Sequence, residues 1–135
     1  MKIVKFKAGL GNQLFQYVFL RRLELVYKEK AKADFSYYQN IENDNVKIPR
    51  ILRLNTSINI ANEEDLRNML IFKLKDNPKK LKYKIKVFIE KSFNRKYYFE
   101  KNRNYININE ILKYEYLDGY WQSWRYLIGI EDKLK

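Results

Sequence analysis

Two amide side chains stand together at Asn12 and Gln13, just after Gly9 and Gly11 in "AGLGNQLFQY", residues 8–17. Each carries an NH2 donor pair and an acceptor oxygen, which suits hydroxyl groups that must both donate and accept. The chain has only four glycines, and two of them flank a single leucine here. Glycine between a strand and a helix permits positive φ and close backbone approach to a ligand. The first turn of the following helix offers unpaired N–H groups, suited to phosphate or a polarised hydroxyl. The spacing is neither a GxGxxG fingerprint nor a P-loop. A tight turn capped by Asn12, with no ligand, is the simpler reading; the second amide at Gln13 favours a binding role.

Another group of reactive or sugar-compatible side chains closes the chain in "YLDGYWQSWRYL", residues 116–127. Asp118 could assist deprotonation of a bound hydroxyl. An Asp before Gly is more often turn chemistry, and no second carboxylate stands at a recognisable spacing. Trp121 could stack on a sugar ring or pack in the core, and both readings stay open. Core packing is the simpler reading for Trp124, which lies among Tyr114, Tyr116, Tyr120 and Tyr126. The sequence contains no cysteine and no histidine. Disulfides, Cys- or His-based zinc sites, and Ser-His or Cys-His nucleophile pairs are therefore excluded within these residues.

The elements that must position these groups are partly legible. "KIVKF" reads as a short strand, broken by the glycine turn, with Asn12 as the N-cap of an amphipathic helix. Leu14, Phe15, Val18, Phe19, Leu23, Val26 and Tyr27 set its apolar face, from Leu14 to about Ala33. "ADFSYY" is a second strand, parallel to the first, so the opening is half of a βαβ unit. Asn40 to Asn45 reads as a polar loop, and Pro49 argues against a central strand in "VKIPRILRLN". Asn62 caps a short helix with an acidic first turn. Leu81, Tyr83, Ile85, Val87 and Ile89 alternate as in a strand, but Leu81, Ile85, Phe88 and Ile89 also fit a helix face, the preferred reading over 80–95. A helical turn is expected over 107–113, and a strand or turn leading into a helix at the end. At 135 residues and 46% apolar, the chain is one domain with a packed core, or a piece of a larger protein.

With these residues in view, a resemblance is clear. "GLGNQLFQY" resembles the opening of the family 11 glycosyltransferases, the α-1,2-fucosyltransferases, and "LDGYWQS" resembles a second block of that family. "INIANEEDLRNML", residues 58–70, is similar to the segment between them. The resemblance implies the Rossmann-like N-terminal domain of a GT-B-type enzyme, spanning 1–135, with the donor-binding domain absent from this chain. It implies inverting, metal-independent transfer of fucose from GDP-fucose to the 2-hydroxyl of a galactoside in bacterial surface glycan synthesis. Gly9, Gly11, Asn12 and Gln13 would form the cleft-facing loop. Asp118, Tyr120, Trp121 and Gln122 would lie near the acceptor or support the cleft. Two departures are Ala8, where the family usually has a third glycine, and Trp124, where a charged residue is common. The family's His-x-Arg-x-Gly-Asp block, whose Arg holds the GDP diphosphate, is missing. The chain alone is therefore expected to be inactive.

The net charge of +12 implies an anionic partner. It concentrates in a variable basic segment, 79–103, with ten Lys or Arg against two Glu. A solvated helix face is the default reading of that segment. An interfacial helix on anionic lipid comes next, with lysines around Ile85, Phe88 and Ile89. A nucleic-acid site comes last, because no RNP, KH or helix-turn-helix signature accompanies the basic residues. The alternative to the enzyme reading is accordingly a non-catalytic basic module that binds membrane or nucleic acid. No transmembrane or secretory segment is read. The expected location is cytoplasmic, with peripheral attachment to the inner membrane face as an extension.

Overall fold

The computed structural model of the protein describes residues 1–39, 49–74, 77–102 and 104–134. Its strands are β1 (Ile3–Lys5), β2 (Lys32–Asp34), β3 (Asn59–Ile60), β4 (Tyr97–Phe99) and β5 (Tyr116–Asp118). The helices are α1 (Leu10–Tyr27), α2 (Glu63–Met69) and α3 (Leu81–Phe93), with short 3-10 turns between elements. The strands form one sheet in the order β3-β2-β1-β5-β4, and every pairing is parallel. This is a mixed α/β fold with an all-parallel five-stranded sheet, compatible with a Rossmann-like arrangement. Parallel neighbours need crossover connections, and those crossovers cover both faces of the sheet.

Strand alternation divides β1 between the two faces. Val4 and Phe6 join Phe19, Leu20 and Leu23 of α1 in the larger core, closed by Ile51, Ile111, Trp121 and Tyr126. Ile3 points the other way, into a smaller cluster with Met69, Tyr97 and Tyr116. On that side α2 is held by a reciprocal capping box between Asn62 and Asp65. Lys32 Nζ reaches Asp65 Oδ2 at 2.8 Å and ties the helix to β2. The expected cap at Asn62 and its short helix are therefore observed.

α1 begins earlier and ends earlier than its sequence periodicity predicts. Its N-cap is Gly9, in extended backbone, so Asn12 lies inside the first turn and is not the cap. It stops at Tyr27 instead of near Ala33 because Lys28 adopts the left-handed conformation at φ +62°. The Lys28 N–H closes the last turn on Glu24 O at 2.8 Å. The buried face also differs: Gln13 and Gln16 lead it, whereas Leu14 and Phe15 are exposed. The expected parallel strand at "ADFSYY" is β2, shortened by a 3-10 turn at Ser36–Tyr38. Past Pro49 the chain turns in a 3-10 helix, Arg50–Arg53. The polar loop at Asn40–Asn45 lies outside the described residues, as does Arg103 at the end of the basic segment.

The helix expected over 80–95 is α3, docked through polar side chains. Tyr83 OH accepts from Lys5 Nζ at 2.6 Å. Glu90, fully buried, accepts from the Phe72 backbone N–H at 2.9 Å and from Asn94 Nδ2 at 2.8 Å. Among the described residues, no helix is long and apolar enough to cross a membrane.

Candidate functional site

In an open parallel sheet, ligands bind outside the carboxyl ends of the strands, where connections leave in opposite directions. Here β1 sits between β2 and β5, and the chain leaves β1 toward β2. The end of β1 runs into Ala8–Gly11, and the end of β5 runs into Gly119–Gln122. The two sequence blocks, more than a hundred residues apart, thus meet at the carboxyl ends of neighbouring strands, the position of the crevice in a parallel sheet. Asn12 Oδ1 accepts from Gln122 Nε2 at 2.6 Å across it.

The loop after β1 is open to a ligand. Cβ atoms built on Gly9 or Gly11 would meet no atom within 4 Å. No side chain caps the first turn of α1, and no acidic residue sits in it. The Gln13 N–H closes that turn on Gly9 O at 3.0 Å, and the N–H groups before it have no side-chain cap. The residue that needs left-handed backbone is Ala8, at φ +66°, while Gly9 is extended. Ala8 thus carries strain in a conformation that favours glycine.

Gln13 is committed internally and not spare. Its Nε2 donates to Ala8 O at 2.8 Å, and its Oε1 accepts from the Ile51 N–H at 2.8 Å. Tyr38 OH donates to the same Ala8 carbonyl at 2.7 Å. Gln16, which sequence reasoning did not single out, is fully buried and links both strand ends. Its Oε1 accepts from the Lys7 N–H at 3.0 Å, and its Nε2 donates to Gly119 O at 3.3 Å. The signal was available as Gln13 and Gln16 at i, i+3, a spacing that shares one helix face.

Below the crevice lies a buried ion triad. Asp118 Oδ1 stands 2.6 Å from Lys7 Nζ, and Oδ2 stands 3.4 Å from Lys5 Nζ. Tyr97 OH also donates to Oδ2. Burial works to raise the Asp118 pKa, but Lys5 and Lys7 outweigh it and hold the carboxyl at about 2. Burial likewise opposes the charge on Lys5, yet Asp118 and Tyr83 prevail and keep its pKa above the ordinary value. A general base works best with a pKa near the operating pH. Asp118 is too weak a base and too enclosed, so it organises the two lysines rather than taking a proton. It is not turn chemistry either, because its carboxylate serves the triad.

Lys7 carries the triad's charge toward the surface, 4.5 Å from the Tyr120 ring centroid and 5.3 Å from that of Phe99. Tyr120 and Gln122 are half-buried at the rim. Trp121 is fully buried, stacked on Phe19 at 3.8 Å between centroids, so its face is closed to a sugar. Its backbone is left-handed at φ +56°, held by Glu100, which accepts from the Tyr120 N–H at 3.0 Å and the Trp121 N–H at 3.2 Å. Glycine is required at position 119, where a Cβ would lie 2.7 Å from Glu100 Cβ. Trp124, expected in the core, is 66% exposed. Ser123 caps the turn that follows it, and that turn sends Tyr126 inward instead.

Two recesses lie away from this crevice. One is a shallow surface between the C-terminal end of α1 and Ser57. The other is a cavity of about 240 Å³ between α2, Phe72 and Ser36, with little polar lining. Neither is lined by a residue of either block. Among the described residues, no three acidic side chains gather into a metal-binding group. No protein-family model, curated protein or solved structure matches the chain.

Proposed function

We propose that the crevice is the acceptor side of a GDP-fucose-dependent α-1,2-fucosyltransferase of GT-B architecture. In this reading the chain is its N-terminal domain and serves surface glycan synthesis. The observation that carries the proposal is the meeting of "GLGNQLFQY" and "LDGYWQS" at the ends of adjacent parallel strands, joined by Asn12 and Gln122. Gly9, Gly11, Asn12, Tyr120 and Gln122 supply the contact surface. Gln13, Gln16, Trp121 and Asp118 hold that surface in place from beneath. The chain's own part is to bind and orient a galactoside, with amide groups and α1 N–H donors matched to its hydroxyls. The donor diphosphate, in this reading, is held by the block this chain lacks.

Saturation-transfer NMR with lactose as the galactoside tests the proposal. The galactose protons should receive saturation from the native chain. Asn12→Ala and Gln122→Ala should each weaken that transfer several-fold with unchanged thermal unfolding. Absence of transfer from the native chain, or transfer from both variants equal to that from the native chain, would contradict it.

A further inference from the structure

Several apolar side chains of α3 point away from the protein, while Val87 and Ile89 are half-buried. Leu81, Ile85 and Phe88 are 71%, 50% and 65% exposed, and their i, i+4, i+7 spacing aligns them in one outward stripe. A helix packed only for its own domain would turn such a stripe inward. This one buries Tyr83 and Glu90 instead, and each is hydrogen-bonded to the domain beneath. The stripe is bordered by cationic side chains, with Lys84 exposed on the helix and Lys79 and Lys80 exposed just before it. Glu90 is the one acidic residue of α3, and it is turned fully inward. The outward face is therefore apolar at its centre, with cationic side chains and no acidic side chain of α3 around it.

We propose that this face of α3 binds the surface of an anionic membrane, with Leu81, Ile85 and Phe88 entering the headgroup boundary. Lysines at the rim would engage lipid phosphates. That division of labour is the physical signature of an interfacial helix. The charge pattern argues against a second copy of the chain, which would bring two cationic faces together. It also argues against nucleic acid as the favoured partner, because the centre of the face is two aliphatic side chains and one phenyl ring, not a stacking platform. This inference rests on α3 alone and is independent of the crevice reading.

Sedimentation with vesicles of phosphatidylcholine alone, and of phosphatidylcholine with one-quarter phosphatidylglycerol, tests it. Binding should appear with the anionic vesicles only. The triple variant Leu81→Gln, Ile85→Gln, Phe88→Gln should weaken it at least tenfold, with circular dichroism unchanged. In a separate Phe88→Trp, Trp121→Phe, Trp124→Phe variant, fluorescence should shift to the blue on vesicle addition. Should that variant misfold, a nitroxide-quenching label at an introduced Phe88→Cys gives the same depth readout. Failure to bind anionic vesicles overturns the proposal. So does binding that the triple variant retains, which would be adsorption by net charge alone. Single-stranded RNA that displaces the vesicles and itself needs the three apolar residues would transfer the face to nucleic acid.

Discussion

Lys5, Lys7 and Asp118 set the electrostatics of the crevice floor from inside the protein. The folded Asp118 pKa, about 2, lies below its ordinary 3.8. A depressed carboxylate pKa means the stabilisation is complete above the unfolded value and is lost as pH falls through the folded one. Unfolding free energy should therefore decline between about pH 4 and pH 2, by about 2 kcal/mol from this group. Asp118→Asn should remove that dependence and, by leaving Lys5 buried without its partner, destabilise the protein by about 3–5 kcal/mol at neutral pH. Urea titrations across that range measure both effects. Should Asp118→Asn fail to fold, Lys7→Met provides the check, because losing one cation should move the acid transition to higher pH. A native profile flat from pH 4 to pH 2 would contradict the triad. None of this was legible beforehand. Lysine in a strand reads as solvent-facing, and only the pairing of β1 with β5 brings Asp118 to both lysines.

At the scale of elements, the turn from β1 into α1 holds stored strain at Ala8. A left-handed non-glycine residue is unfavourable by about 1–2 kcal/mol, partly offset by the greater chain entropy glycine loses on folding. Ala8→Gly should therefore stabilise the protein by about 0.5–1 kcal/mol, seen as a rise in thermal midpoint of a few degrees. A lower midpoint would show that Ala8 is not left-handed in solution. Local spacing located α1, the Asn62 cap located α2, and the helix at α3 was one of two patterns its apolar residues fit. Spacing misjudged the start of α1, since the buried glutamines there bond to the backbone of the preceding turn and of two distant segments. The two-residue β3 is too short to show a pattern, and its residues are exposed. In β4, "YYF" has strand propensity, but three residues inside a basic run are too few to show a strand pattern.

For the molecule as a whole, the parallel sheet turns two remote sequence blocks into one surface. The opening βαβ half and the two separate blocks could be read from the residues. Their contact could not, because the placement of β5 beside β1, inside β4, is a long-range choice that local patterns do not encode. The order also separates two surfaces: the crevice at the strand ends, and the outward face of α3 on the side of the sheet opposite α1. The central claim is that the crevice binds sugar hydroxyls, and amide chemical-shift mapping of the 15N-labelled chain during titration with a galactoside tests it most directly. The account predicts saturable shifts at Gly9, Gly11, Asn12, Tyr120 and Gln122, lost in Asn12→Ala. Shifts confined to residues elsewhere, or an unchanged spectrum at millimolar lactose, would contradict it.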